Sequence, residues 1–187
     1  MKYNPKIHHR RSIRLKHYDY SGNGYYFVTI CTKNFQCWLG DVVNGKMKLS
    51  NIGEIVKKCW METPQHFDNV FLDVFVVMPN HFHGIVVIEN ECNAPCRGVA
   101  CNAPTNVSPK PKSLPTIIRS FKSAVTNWCN KHDFSHFQWH RNYYEHVIRT
   151  EHELNSIREY IINNPLQWES DENNPAKIKK ANSGCCA

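Results

Sequence analysis

The stretch Val76-Val77-Met78-Pro79-Asn80-His81-Phe82-His83-Gly84-Ile85-Val86-Val87-Ile88 sets two histidines around one bulky apolar residue at the head of an apolar run. In a strand, residues i and i+2 leave the same face, so His81 and His83 stand side by side while Phe82 points into the core. Two neutral imidazoles on one rigid surface are half of a divalent-metal site. Met78-Pro79-Asn80 is turn chemistry, which places the pair at a strand mouth. The spacing alone is a weak motif that also describes two solvated or core-satisfied histidines. The rest of the chain has to decide between these readings.

A second group with chemical potential is Tyr160 and Asn164, in Arg158-Glu159-Tyr160-Ile161-Ile162-Asn163-Asn164-Pro165. At i and i+4 of a helix both side chains share one face, a turn apart. Tyr160 interrupts an aliphatic pattern. Taken alone, it is a half-buried aromatic with its hydroxyl at the surface, and Asn164 is a helix C-terminal residue before a proline.

The elements that must position these groups follow from periodicity. Gly24 to Thr32, aromatic and β-branched, predicts a buried strand. Asn44-Gly45 predicts a hairpin turn. Ser50-Asn51 caps a helix expected from Ile52 to about His66, with Ile55, Val56, Cys59 and Trp60 on one side. Val70 to Val77 and His81 to Ile88 are near-continuous apolar runs, expected as the central strands of the sheet. Ser113 opens a helix to about Lys131, with Pro115 in its first turn. Phe137 to Ile148 reads as the last strand. Glu151 to Asn163 reads as a helix, with Leu154, Ile157, Ile161 and Ile162 as its packing face and Pro165 as its stop. Strand, helix, strand, strand, helix, strand, helix is the split βαβ plan. It predicts a ferredoxin-like α+β sandwich with a central antiparallel sheet and an added C-terminal helix carrying the tyrosine.

Around this domain, expected over residues 21–168, lie a basic arm (1–20), an insertion at about 90–112 and a polar tail (169–187), with the chain already loose from Leu166. The insertion contains Cys92-Asn93-Ala94-Pro95 and again Cys101-Asn102-Ala103-Pro104. Its Cys-x3-Cys-x4-Cys spacing has no fourth ligand at a usual interval for zinc, and its composition predicts a flexible loop. Nine cysteines in all are expected as free thiols, with Cys31, Cys59 and Cys129 as small core residues.

The net charge of +7 over 187 residues is uneven. Residues 1–20 carry Lys2, Lys6, Arg10, Arg11, Arg14 and Lys16 against Asp19 alone, and residues 110–131 carry five basic residues and no acid. Two basic clusters in a small domain point to a polyanion, most simply nucleic acid. No apolar run reaches bilayer length, and the basic N-terminus lacks the apolar core of a signal peptide, so a cytoplasmic protein with no membrane partner is expected.

Four motifs then fall in register: His81-Phe82-His83 after Val-Met-Pro-Asn; Phe121-Lys122-Ser123 on a helix; Trp139-His140-Arg141-Asn142-Tyr143-Tyr144-Glu145-His146-Val147-Ile148-Arg149; and Tyr160-Ile161-Ile162-Asn163-Asn164-Pro165. Together, over roughly residues 20–170, the chain resembles the single-tyrosine (Y1) HUH transposases of the IS200/IS605 type, and within them the REP-associated tyrosine transposase branch. The insertion at 90–112 departs from the usual form. The resemblance implies His81, His83 and Asn164 as ligands of a divalent metal, Mg²⁺ or Mn²⁺, and Tyr160 as the nucleophile. It implies single-stranded DNA with a hairpin, such as a REP-like palindrome, as partner, a prokaryotic and nucleoid-associated setting, and strand cleavage and transfer through a 5′-phosphotyrosine. Tyr143 and Tyr144 compete as nucleophiles on sequence alone, although their aromatic segment suits core or stacking roles better. The residues expected to meet DNA are Arg14, Lys16, Arg119, Lys122, Trp139, Arg141 and Tyr143, through phosphate contacts and base stacking. A monomer is favoured over the dimer of the insertion-sequence relatives. The competing readings are a non-catalytic nucleic-acid-binding module and a domesticated metal-dependent single-strand nuclease. No Lys/Arg-Gly-Phe type motif of the RNA-recognition fold is present to support the former.

Overall fold

The computed structural model describes residues 15, 18–90 and 111–175. The elements run β1 (Gly24–Cys31), β2 (Gly40–Val43), β3 (Lys46–Leu49), α1 (Asn51–Met61), α2 (Thr63–His66), β4 (Val70–Val77), β5 (His81–Ile88), α3 (Leu114–Lys131), β6 (Tyr144–Ile148) and α4 (Glu151–Asn163). The main sheet is antiparallel, in the order β4-β5-β1-β6, and β2 and β3 form a separate hairpin. This is the ferredoxin-like strand order, with α4 added after the last strand.

Strand alternation divides the molecule into two layers. Tyr26, Val28 and Ile30 of β1 and Phe82, Val86 and Ile88 of β5 pack against Ile52, Val56 and Trp60 of α1 and Ile117, Phe121 and Val125 of α3. The opposite face, with Phe27 and Ile85, meets Leu154 and Ile161 of α4. β5 is buried at every residue, so the strand that begins with the histidines is the most enclosed of the described strands. Gly84 is required there: a Cβ would lie 2.8 Å from the Trp60 ring and 2.9 Å from Phe82.

Several expectations are corrected. β4 is an edge strand, not a central one. Its apolar run reports that helices cover both of its faces, which says nothing about its place in the sheet order. The first long helix is two: α1 ends at Met61, and Pro64 sits in the first turn of α2. The last strand is only Tyr144–Ile148, although Trp139 makes an isolated bridge to Thr32. Ile162 is 63% exposed, because it lies about 100° around the helix from Ile161. Pro165 does not end the chain's helical course. A 3₁₀ segment, Asn164–Ser170, continues through it, since proline's fixed φ suits a first turn and its missing N–H costs nothing there. The chain is not loose from Leu166: Asn80 Nδ2 donates to Asn173 O at 2.7 Å, and Asn174 N to Asp171 O at 3.1 Å.

Residues 91–110, most of the N-terminal arm including Arg14 and Lys16, and residues 176–187 lie outside the described residues. The two sides of 91–110 are joined. Asn69 Nδ2 donates to Asn90 Oδ1 (3.1 Å) and to Lys112 O (3.4 Å), and Asn90 is held by Asn23 and Ser21. Among the described residues Cys129 is buried and Cys31 and Cys59 are half-buried, all as free thiols; burial raises the pKa of each. No helix of the described residues is long and apolar enough to cross a membrane.

Candidate active site

The turn before β5 is fixed by backbone bonds: Thr32 N–H donates to Asn80 O, Leu39 N–H to Pro79 O, and Met78 N–H to His81 O. It delivers His81 and His83, 0% and 2% exposed, onto the α4 side of the sheet. Their rings are 4.6 Å apart at 69°, and Phe27 stacks on His83 at 5.4 Å.

Neighbours assign the His81 tautomer. Asn80 Nδ2 donates to two carbonyls, Phe35 O at 3.0 Å and Asn173 O at 2.7 Å. Its Oδ1 must therefore face His81 Nδ1, 2.8 Å away, and only an N–H can satisfy that contact. His81 Nε2 is left as a lone pair. It is buried and has no hydrogen-bond partner among the described residues, and the same holds for Asn164 Oδ1. On His83, Nδ1 lies 2.8 Å from Thr29 Oγ1, its neighbour across β1, which leaves Nε2 facing the Tyr160 hydroxyl at 3.3 Å. Burial pushes His81 down to about 4 and His83 well below its ordinary value, so both rings are neutral at pH 7.

α4 supplies the other half. Thr150 caps it by accepting from Glu153 N–H, and Arg158 binds Asp73 of β4. Tyr160, on the same helix, is 43% exposed. Asn164, 1% exposed, reaches both His81 and Tyr160 with its side chain. Burial, helped by the charge of Asp171, raises the phenol's pKa, so the hydroxyl is protonated at neutral pH.

His81 Nε2 and Asn164 Oδ1 are thus two buried acceptors without a hydrogen-bond partner among the described residues, on side chains that approach one another. Buried acceptors are rarely left unpaired, and a hard or borderline cation satisfies such a pair. The residues present fit a divalent ion. Among the described residues no three His, Cys, Asp or Glu side chains make a cation site by themselves; here the Asn164 amide has to contribute. Of the competing phenols, Tyr144 is 53% exposed on β6 with its ring 6.4 Å from Phe27, and Tyr143 packs against the other core layer.

The expected DNA-facing residues within the described chain collect elsewhere. Arg119, Lys122, Trp139, Arg141 and Tyr143 line a groove of about 680 Å³ between α3 and the segment before β6. Arg119 and Arg141 are exposed. The Lys122 ammonium donates to His140 O (2.7 Å) and Arg141 O (3.2 Å), and burial lowers its pKa to about 8. The groove adjoins the histidine end of the sheet, since His140 N–H donates to Cys31 O and Cys31 pairs with His81.

Sequence reasoning missed Thr29, Asn80 and Asp171. Asn80 was visible only as a turn residue. Asp171 lies beyond a proline in a polar stretch, with no pattern to single it out, yet its Oδ2 is 3.9 Å from His81 Nε2.

No family model matches the chain. An uncharacterized protein of Haemophilus influenzae (strain ATCC 51907 / DSM 11121 / KW20 / Rd) is 46% identical over 175 residues, covering 91% of this chain and 96% of that one. The chain belongs to the family of this protein. Among solved structures, a REP-associated tyrosine transposase bound to a REP hairpin matches with a TM-score of 0.57 at 16% identity, covering 84% of this chain and 74% of that one. That likeness is one of fold: this chain has a transposase-like fold.

Proposed function

We propose that the protein is a metal-dependent single-tyrosine transposase that cleaves and transfers single-stranded DNA at hairpin-associated sites. The observation that carries this reading is the Tyr160 hydroxyl, 3.3 Å from His83 Nε2, beside the unpartnered His81 Nε2 and Asn164 Oδ1. His81, His83 and Asn164 would hold Mg²⁺ or Mn²⁺. Bound there, the ion offsets the negative charge of a non-bridging phosphate oxygen and makes the phosphorus open to attack.

The chain's own residues do the rest. Tyr160 forms the bond to phosphorus and a deoxyribose 3′-oxygen leaves, giving a 5′-phosphotyrosine and a free 3′-OH. The phenol must lose its proton during attack, and its half-exposed position gives water access to it. The phosphotyrosine retains the bond energy, so a second 3′-hydroxyl can reverse the step. Buried neutral histidines on β5 keep the ligand geometry fixed while DNA exchanges. The groove lined by Arg119, Trp139, Arg141 and Tyr143 suits a strand with unpaired bases: cations for phosphates, rings for stacking. The likeness to a protein solved with a REP hairpin supports a hairpin substrate. Tyr160 reaching its own chain's histidines supports action in cis by a monomer.

The test is incubation with hairpin-containing single-stranded DNA and Mn²⁺, followed by denaturing electrophoresis. A slower, denaturation-resistant protein–DNA species is expected from the wild type and is absent from Tyr160→Phe, which binds the DNA as well. Cleavage without an adduct would instead mean attack by water, and no metal-dependent change at all would mean a binding module.

A further inference from the structure

We infer that Asp171 is a fourth, anionic ligand of the cation. The inference rests on the metal site proposed above and adds a donor from the segment after the tyrosine helix. The Asp171 side chain is 6% exposed. Its Oδ1 accepts from Asn173 N–H at 2.6 Å, and its Oδ2 lies 3.5 Å from Asn164 Nδ2 and 3.9 Å from His81 Nε2. The last separation is too long for a hydrogen bond. It is short enough for one ion, with donors at about 2.1 Å, to touch both atoms.

A carboxylate so enclosed needs a positive partner. Among the described residues no lysine or arginine pairs with Asp171. Its position is not accidental either. The 3₁₀ segment turns the chain back over the site, Trp168 packs 6.0 Å from His81, and Asn174 bonds to Trp168 O and, through its N–H, to Asp171 O. Asn80, which orients His81, also grips Asn173 O. One side chain thus fixes both the imidazole and the segment carrying the carboxylate.

The chemistry changes accordingly. His81, His83 and Asn164 are all neutral donors. Adding Asp171 gives two nitrogens and two oxygens with one negative charge, a set that draws hard, oxygen-preferring cations such as Mn²⁺ and Mg²⁺ more strongly.

The test is direct Mn²⁺ titration by calorimetry, without DNA, on full-length wild type, Asp171→Asn and an exposed control, Glu169→Gln, with melting curves of each metal-free protein. Asp171→Asn is expected to weaken Mn²⁺ binding at least tenfold and to leave the metal-free melting temperature equal or higher, because an enclosed negative charge has been removed. Glu169→Gln stays within twofold of wild type. Unchanged Mn²⁺ affinity in Asp171→Asn, with wild type binding, overturns the inference alone. A lower metal-free melting temperature with unchanged affinity does the same, and marks Asp171 as a turn-former. Failure of the wild type to bind Mn²⁺ overturns the metal site itself.

Discussion

Replacing Asn80 with alanine separates the orientation of a ligand from the stability of the fold. The side chain is 0% exposed and makes three hydrogen bonds, to Phe35 O, Asn173 O and His81 Nδ1. At about 1 kcal/mol net for each, the metal-free protein should lose about 3 kcal/mol, because the His81 ring stays buried and the two carbonyls stay partly so. The second loss is specific to the site. Without Asn80 Oδ1, nothing holds the proton on His81 Nδ1, and the lone pair on Nε2 is no longer assured. Loss of such an outer partner typically weakens metal binding about 10–100-fold, or about 1.4–2.8 kcal/mol. Urea denaturation measures the first loss and Mn²⁺ calorimetry the second. Ile118→Ala, in the core layer on the far side of the sheet, provides the control: a cost of about 2–5 kcal/mol with Mn²⁺ affinity unchanged. If Asn80→Ala binds Mn²⁺ as tightly as wild type, the tautomer argument is wrong, whatever happens to stability.

Gly84→Ala should destabilise the protein by about 1–3 kcal/mol in urea titrations, since its Cβ falls 2.8 Å from Trp60; an unchanged midpoint would mean that the Trp60 ring moves freely. Acid should act on the metal-free protein through His81. Its folded pKa, about 4, is below the unfolded value of about 6.5, so the unfolded chain binds more protons between the two. Stability from this group is fully present above about 6.5 and is lost as pH falls toward 4. His81→Gln should flatten the pH dependence of the melting temperature in that window, and an unaltered slope would show that His81 already carries its proton when folded. Arg119→Ala should weaken single-stranded DNA binding across sequences and reduce the slope of log affinity against log salt by about 0.7; an unaltered slope would remove Arg119 from the interface.

The site was legible in sequence where local periodicity decides geometry. The i, i+2 rule placed His81 and His83 on one face, and i, i+4 placed Tyr160 and Asn164 on another, because each spacing is a property of one element. That the two faces meet follows from strand order, which hydrophobic pattern does not encode. For the same reason β4 was misplaced: a strand covered on both faces reads alike at the edge or in the middle. Lys122 reads as a surface cation on a helix, but its bonds to His140 O and Arg141 O come from a segment 18 and 19 residues on. Asp171 and Asn173 act through contacts some 90 residues back, at Asn80 and His81, and such contacts leave no repeat to detect. Pro165 marks a boundary in sequence, but it marks the switch from α to 3₁₀ and not the end of order.

Asn69, by clasping Asn90 and Lys112, makes the sheet indifferent to what hangs between them. The exit and re-entry points stay side by side however many residues intervene, and doubling the length of a connection costs only about 0.6 kcal/mol in closure. Duplications such as the repeated Cys-Asn-Ala-Pro can therefore accumulate at this junction without disturbing the histidine strand. Relatives are expected to differ in length here before they differ anywhere in the framework.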